Sequence, residues 1–294
     1  MREGARPWYA RWWAIALFLS VVLLGTGWLT IQALGLRSVA VDAEPMPLPA
    51  EGFDYAWWND ALGRWVRPRG VDYAAVLEEQ GELRRFVATL ASTGPRTAPD
   101  RFSTEPEQLA YYLNAYNALT LFGVVDNWPM QSVHDVRGWL DPRAGFGFFY
   151  GLQFPLDGAE MNLYELENTV IRRYLDARIH AAINCASKSC PALAPYAFEA
   201  ATLDEQLDVV TRAFCSNAPH VVIDEEAQQI RLSAIFDWYK ADFEEHARRL
   251  GRPATIEDFI AAFADPATLD ALERARKAEF EVVFQPYDWA LNQL

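Results

Sequence analysis

From Trp12 to Leu36 the chain carries no charged side chain, and its only polar ones there are Ser20, Thr26, Thr30 and Gln32. A run of this length crosses a hydrocarbon core of about 30 Å as a helix, which satisfies its own backbone hydrogen bonds in lipid. Arg2, Arg6 and Arg11 precede it against the single acidic Glu3, whereas Arg37, Asp42 and Glu44 follow. The positive flank is expected to stay in the cytoplasm and the C-terminal bulk to cross. The reading is a single-pass signal-anchor over 12–36 in the cell inner membrane, with residues 1–11 cytoplasmic and the remaining domain periplasmic (extracytoplasmic). A cleaved signal peptide is the alternative. Its apolar region is about 7–15 residues, shorter than this one, and Val41-Asp42-Ala43 makes a poor cleavage site.

Residues 37–52, with Pro45, Pro47 and Pro49, read as an extended linker. Residues 53–294 are long enough to bury a sizeable core, and the aromatic content of 14% can fill it. The net charge of −14 argues against a nucleic-acid partner and against anionic lipid beyond the anchor. Apolar spacing predicts helices over 53–66, 71–90, 105–125, 162–174, 203–215, 233–250 and 256–272. The third is capped by Thr104 and has Pro106 in its first turn. Strands are expected at 179–185, 220–223, 230–232 and 280–284, and a hairpin or ordered loop at 141–158. The fold class is α+β: a helix-rich domain around a small, mostly antiparallel sheet.

The segment 179–191 holds the densest chemistry. If residues 179–184 are extended, His180 and Asn184 share one face beside the loop 185–191. Pro191 suits the first position of a helix, which makes Cys190 its N-cap; the helix end and Lys188 both favour thiolate. This predicts Cys190 as nucleophile, Cys185 as its substitute and His180 as base. Two other outcomes stand beside it: a Cys185–Cys190 disulfide, or two buried reduced thiols. Cys215, His134, His220 and His246 have no zinc-ligand spacing, so neither metal nor other cofactor is expected. Asn114 and Asn117, three apart in an apolar helix, either brace backbone or contact substrate. Asn184, Lys188 and Asp288 complete the candidate substrate contacts, Asp288 either closing over a cleft or capping a turn. Phe236, Trp238, Tyr239 and Phe243 share helical spacing and read as core. The chain has neither a GxxxxGK[ST] loop nor a GxSxG elbow.

Five blocks carry a family resemblance: YYLNAYNALTL (111–121), MNLYELENTVIR (161–172), IHAAINCASKSCPAL (179–193), LSAIFDWYKADF (232–243) and PYDWALN (286–292). In order and composition they resemble the domain-of-unknown-function family 547, over 53–294. The resemblance implies Glu167 as the carboxylate that orients His180; a Glu167 ion pair with Arg172 or Arg173 is the alternative. At fold level it implies a kinship to papain-like or transglutaminase-like thiol enzymes. The expected function is a thiol-dependent hydrolase or acyl/peptide-amide transferase, working through a thioester on Cys190 or Cys185. The rival expectations are a non-catalytic module holding a peptide or small thiol compound, and a membrane assembly component.

Overall fold

The computed structural model describes residues 37–137 and 145–294. The expected membrane segment at 12–36 and its cytoplasmic flank lie outside them. Among the described residues no helix is long and apolar enough to cross a membrane. In chain order the elements are β1 (Arg37–Ser38), α1 (Ala56–Trp65), β2 (Val66–Arg67), β3 (Gly70–Val71), α2 (Tyr73–Glu78), α3 (Gln80–Ser92) and α4 (Glu105–Asp126). Next come β4 (Leu152–Leu156), β5 (Ala159–Met161), α5 (Leu163–Glu165), α6 (Ile179–Ala182) and α7 (Leu203–Ser216). The chain continues as β6 (Val221–Asp224), β7 (Gln229–Leu232), α8 (Ala234–Trp238), α9 (Lys240–Arg249), α10 (Ile256–Phe263), α11 (Pro266–Lys277) and β8 (Glu281–Phe284).

Helix α4 organises the first core. Thr104 and Glu107 form a capping box at its start: Glu107 N donates to Thr104 Oγ1 at 3.4 Å, and Thr104 N to Glu107 Oε2 at 2.8 Å. From Leu109 to Val125 every residue except Tyr112 is buried, the polar Asn114, Asn117 and Thr120 included, so the helix runs through the interior rather than lying on the surface. Trp58, Trp65, Phe86, Tyr111 and Phe154 pack in the same cluster. A second cluster forms from Phe214, Phe236, Phe243, Phe259, Ile260 and Leu272. Helix α6 lies between the two: Ile179 and Ala182 belong to the first cluster and Ala181 to the second.

Among the described residues the strands form three small sheets, β1-β4-β5, β2-β3 and β6-β7-β8, where one was expected. Three pairings are antiparallel, but β1–β4 and β7–β8 are parallel. The latter follows from connectivity, because four helices separate β7 from β8 and return the chain in the same direction. The expected strand at 179–185 is the single-turn α6. Its amides bond locally, His180 to Ala177 O and Ile183 to Ile179 O, rather than to a neighbouring strand. No helix follows Pro191, so Cys190 caps none. The helix expected over 233–250 breaks at Tyr239. That expected over 256–272 breaks at Asp265-Pro266, where Asp265 caps α11.

Residues 37–52 are laid on the domain rather than free of it. Val39 is buried and donates to Gln153 O at 2.7 Å, Met46 N donates to Thr89 Oγ1 at 2.8 Å, and Arg37 pairs with Asp126 at 2.7 Å. At the other end, residues 287–294 thread between three segments. Leu291 N donates to Gln131 O at 2.8 Å, Lys188 N to Ala290 O at 2.9 Å, and Val71 N to Asn292 O at 2.8 Å. Gly70 is required at that crossing: its φ is +148°, and a Cβ there would lie 2.3 Å from Asn292 O.

Candidate functional site

The loop between Cys185 and Cys190 is pinned by amide side chains. Asn184 Nδ2 donates to Pro191 O at 2.7 Å across its base, and Asn184 Oδ1 accepts from Ala186 N at 2.9 Å. Asn184 N in turn donates to Asn117 Oδ1 at 2.8 Å, while Asn117 Nδ2 reaches Ala182 O at 3.0 Å. Ala186 turns the chain with a φ of 58°. Together these bonds bring both thiols to one place. Cys185 N donates to Cys190 Sγ at 3.0 Å. The Cys185 sulfur lies 3.0 Å from Ser187 Oγ and 2.9 Å from Tyr287 Oη, the tyrosine being carried in by the C-terminal strap.

These surroundings split the two thiols. Burial alone would raise Cys185, but hydrogen bonds from Cys190, Ser187 and Tyr287 bring it below the usual thiol range. Burial pushes Cys190 well above that range, and the neighbouring Cys185 sulfur pushes the same way. All three cysteines are free; Cys185 is half-buried, while Cys190 and Cys215 are buried.

The second cluster centres on His180. Its Nε2 lies 2.9 Å from Asp242 Oδ2 and its Nδ1 faces Glu167 Oε1 at 3.7 Å. The ring stacks on Tyr239 at 3.9 Å between centroids. Arg172 grips Asp242 in two bonds of 2.8 Å. Burial alone would raise Asp242, but His180 and Arg172 hold it well below the usual carboxylate range. Burial raises Glu167, with His180 as the main opposing influence. Glu167 sits in a π-helical turn, Leu166–Val170, a local widening of the helix of the kind often found at functional sites.

Both clusters open on one cavity of about 620 Å³. His180, Cys185, Cys190, Glu167 and Arg172 line it, with aromatic walls including Tyr150, Tyr164, Trp238, Tyr239, Tyr287 and Trp289. Trp238 stacks on Trp289 at 5.6 Å and Tyr150 on Tyr164 at 4.3 Å. Trp238 is 48% exposed and Tyr164 42%, so large apolar faces are offered to an occupant. Each of the five sequence blocks contributes to this wall, α4 doing so through Tyr116.

The structure revises several expected roles. His180 bonds to Asp242, and the hydroxyls of Ser187 and Tyr287 occupy the Cys185 sulfur; no His180–cysteine hydrogen bond forms among the described residues. Cys185, rather than Cys190, is the thiol partly open to the cavity. The two cysteines are unbridged thiols, not a disulfide. Glu167 does flank His180, but Arg172 pairs with Asp242. Asn114, Asn117 and Asn184 are buried braces whose amides are spent on the protein itself. Asn114 takes Trp58 Nε1 and Phe198 N and donates to Phe198 O. Lys188 is exposed and borders a separate cavity of about 850 Å³ beside Arg67 and Arg69. Asp288 is exposed and caps a turn, accepting from Ala290 N at 2.9 Å. Phe236 and Phe243 are core, whereas Trp238 and Tyr239 line the cavity. Asp242 is not singled out by sequence reasoning. Its signal lies in the 232–243 block, where the aromatics draw attention from the single buried-face carboxylate.

No curated protein and no solved structure matches the chain. A family model does match, over residues 99–215, a shorter stretch than the 53–294 of the five blocks. That stretch holds the first three blocks and so both cysteines of the cavity, His180 and Glu167; over it the chain matches the family described as protein of unknown function, DUF547.

Proposed function

We propose that this is a thiol-dependent hydrolase or acyl/peptide-amide transferase with Cys185 as nucleophile, held outside the cytoplasm by the segment at 12–36. The observation that carries the reading is the Cys185 sulfur at the cavity, met by the Tyr287 and Ser187 hydroxyls at 2.9 and 3.0 Å. Hydroxyl donors favour the thiolate, as an imidazolium does in a Cys–His pair. The thiolate attacks the substrate carbonyl carbon, and the tetrahedral adduct collapses to a thioester as the amine or alkoxide leaves. That leaving group needs a proton. Glu167 lines the same cavity, and its burial favours the protonated carboxyl. Water or an acceptor amine then attacks the thioester and frees the thiol. His180, fixed by Asp242, acts as a positioning residue behind Glu167.

A non-catalytic module is the second reading, favoured by the engagement of His180 with Asp242 rather than with sulfur. The two separate on acylation. The purified chain is treated with p-nitrophenyl acetate, quenched in acid and mapped by mass spectrometry. The expected result is a hydroxylamine-labile acetyl group on Cys185, lost in Cys185→Ser. Equal acetylation of all three cysteines, or of none, leaves the binding module.

A further inference from the structure

Acyl transfer uses one thiol, yet a second is held against it. We propose that Cys185 and Cys190 are a thiol–disulfide exchange pair, Cys185 attacking and Cys190 resolving, acting on a disulfide substrate admitted by the aromatic cavity. The inference rests on Cys185 being the reactive thiol of the proposed function, but not on acyl chemistry.

Three observations carry it. First, the loop is already closed. The Asn184–Pro191 bond of 2.7 Å clips its base, Cys190 N donates to Ser187 O at 3.1 Å, and Cys185 N donates to Cys190 Sγ at 3.0 Å. Cys190 Sγ thus sits against the backbone of Cys185, so bringing the two sulfurs together calls for side-chain rotation rather than refolding. Second, the pair is asymmetric in access: both cysteines line the cavity, but Cys185 is half-buried whereas Cys190 is only 8% exposed. An outer attacking thiol with an inner resolving one is the order that exchange requires. Third, the remaining thiol is kept away. Cys215 is fully buried in the second core, leaving one productive pairing among the three cysteines.

The chemistry balances as two displacements. The Cys185 thiolate attacks one sulfur of R–S–S–R′, forming Cys185–S–S–R and expelling R′S⁻, which takes the Cys190 proton. The Cys190 thiolate then attacks the Cys185 sulfur, forming the Cys185–Cys190 disulfide and expelling RS⁻, which is protonated by solvent. The substrate gains two electrons and the pair loses two. A low-molecular-weight thiol returns them for another turnover.

The test treats the full chain with glutathione disulfide and follows it by intact mass and peptide mapping. The wild type is expected to lose two hydrogens and yield a Cys185–Cys190 cross-linked peptide. Cys190→Ser and Cys190→Ala should halt at a glutathione adduct on Cys185, Cys185→Ser should form neither product, and Cys215→Ser should match the wild type. A lasting glutathione adduct on wild-type Cys185, or no oxidation, overturns the proposal. The wild-type result needs no variant to fold. If Cys190→Ser still takes acetyl on Cys185 while the wild type never closes the disulfide, exchange is refuted and acyl transfer stands. Closure without acetylation refutes acyl transfer and leaves exchange standing.

Discussion

Replacing Tyr287 with phenylalanine removes one hydroxyl and keeps the ring, which packs on Trp289 at 4.4 Å and Trp238 at 4.8 Å between centroids. That hydroxyl touches the Cys185 sulfur at 2.9 Å and Ser187 Oγ at 2.9 Å. Burial and the two neighbouring sulfurs push the Tyr287 phenol well above its usual range, so it keeps its proton and donates. Hydrogen bonds to a charged group contribute about 1.5–3 kcal/mol. The half-buried sulfur and the surviving Ser187 donor place this one at the low end. At about 1.4 kcal/mol per pKa unit, Tyr287→Phe should raise the Cys185 thiol by about one unit. The thiolate is present above the native pKa, so labelling speeds up as pH rises through it, and the variant's curve shifts to higher pH. Iodoacetamide labelling of the Cys185 peptide, timed from roughly pH 5 to 10, should slow about tenfold on the rising limb while the alkaline plateau holds. Coincident midpoints, or a changed plateau with an unchanged midpoint, would refute the claim that Tyr287 stabilises the thiolate.

Two further outcomes concern the frame around the site. Gly70→Ala drives a Cβ into Asn292 O at a positive φ, so it should destabilise the chain by about 1–3 kcal/mol in urea titrations. Faster hydrogen exchange at the Val71 amide, which donates to Asn292 O, should accompany it. Burial lowers His220 to about 4, whereas an unfolded imidazole titrates near 6.5. The stability it contributes is therefore complete above about pH 6.5 and is lost as pH falls from there towards 4, by up to about 3 kcal/mol. His220→Phe should flatten that dependence, and an unchanged acid slope would show that another group is responsible.

Where local chemistry decides the structure, the sequence is readable. The Thr104–Glu107 box, Pro106 and the apolar run after them specify α4 almost to the residue, and the short alternating runs at β6, β7 and β8 are strands. The 179–185 segment is ambiguous, because a short apolar run with small residues fits strand and single-turn helix alike. The difference matters: a strand puts His180 beside the thiols, whereas the helical turn sets it against Asp242, 62 residues away. A similar separation hides the partner of Arg172. Trp238 and Tyr239 share helical spacing with Phe236 and Phe243, but the break at Tyr239 turns them to the cavity while the phenylalanines stay in the core. The amides at 114, 117 and 184 announce burial, and only their partners decide between brace and ligand contact.

The strap at 287–294 also fixes an order of assembly. Tyr287 reaches Cys185 across 102 positions, and all of the second core except Ala177 and Ala181 is threaded between them. Contacts of such long sequence separation carry a large loop-closure cost until the intervening helices dock. The two sulfurs are therefore brought near each other by short-range bonds early, and receive their distant hydroxyl late. During that interval the pair is open to whatever oxidant or thiol surrounds it. Maturation of this cavity is then a race between folding of the second core and chemistry at the first.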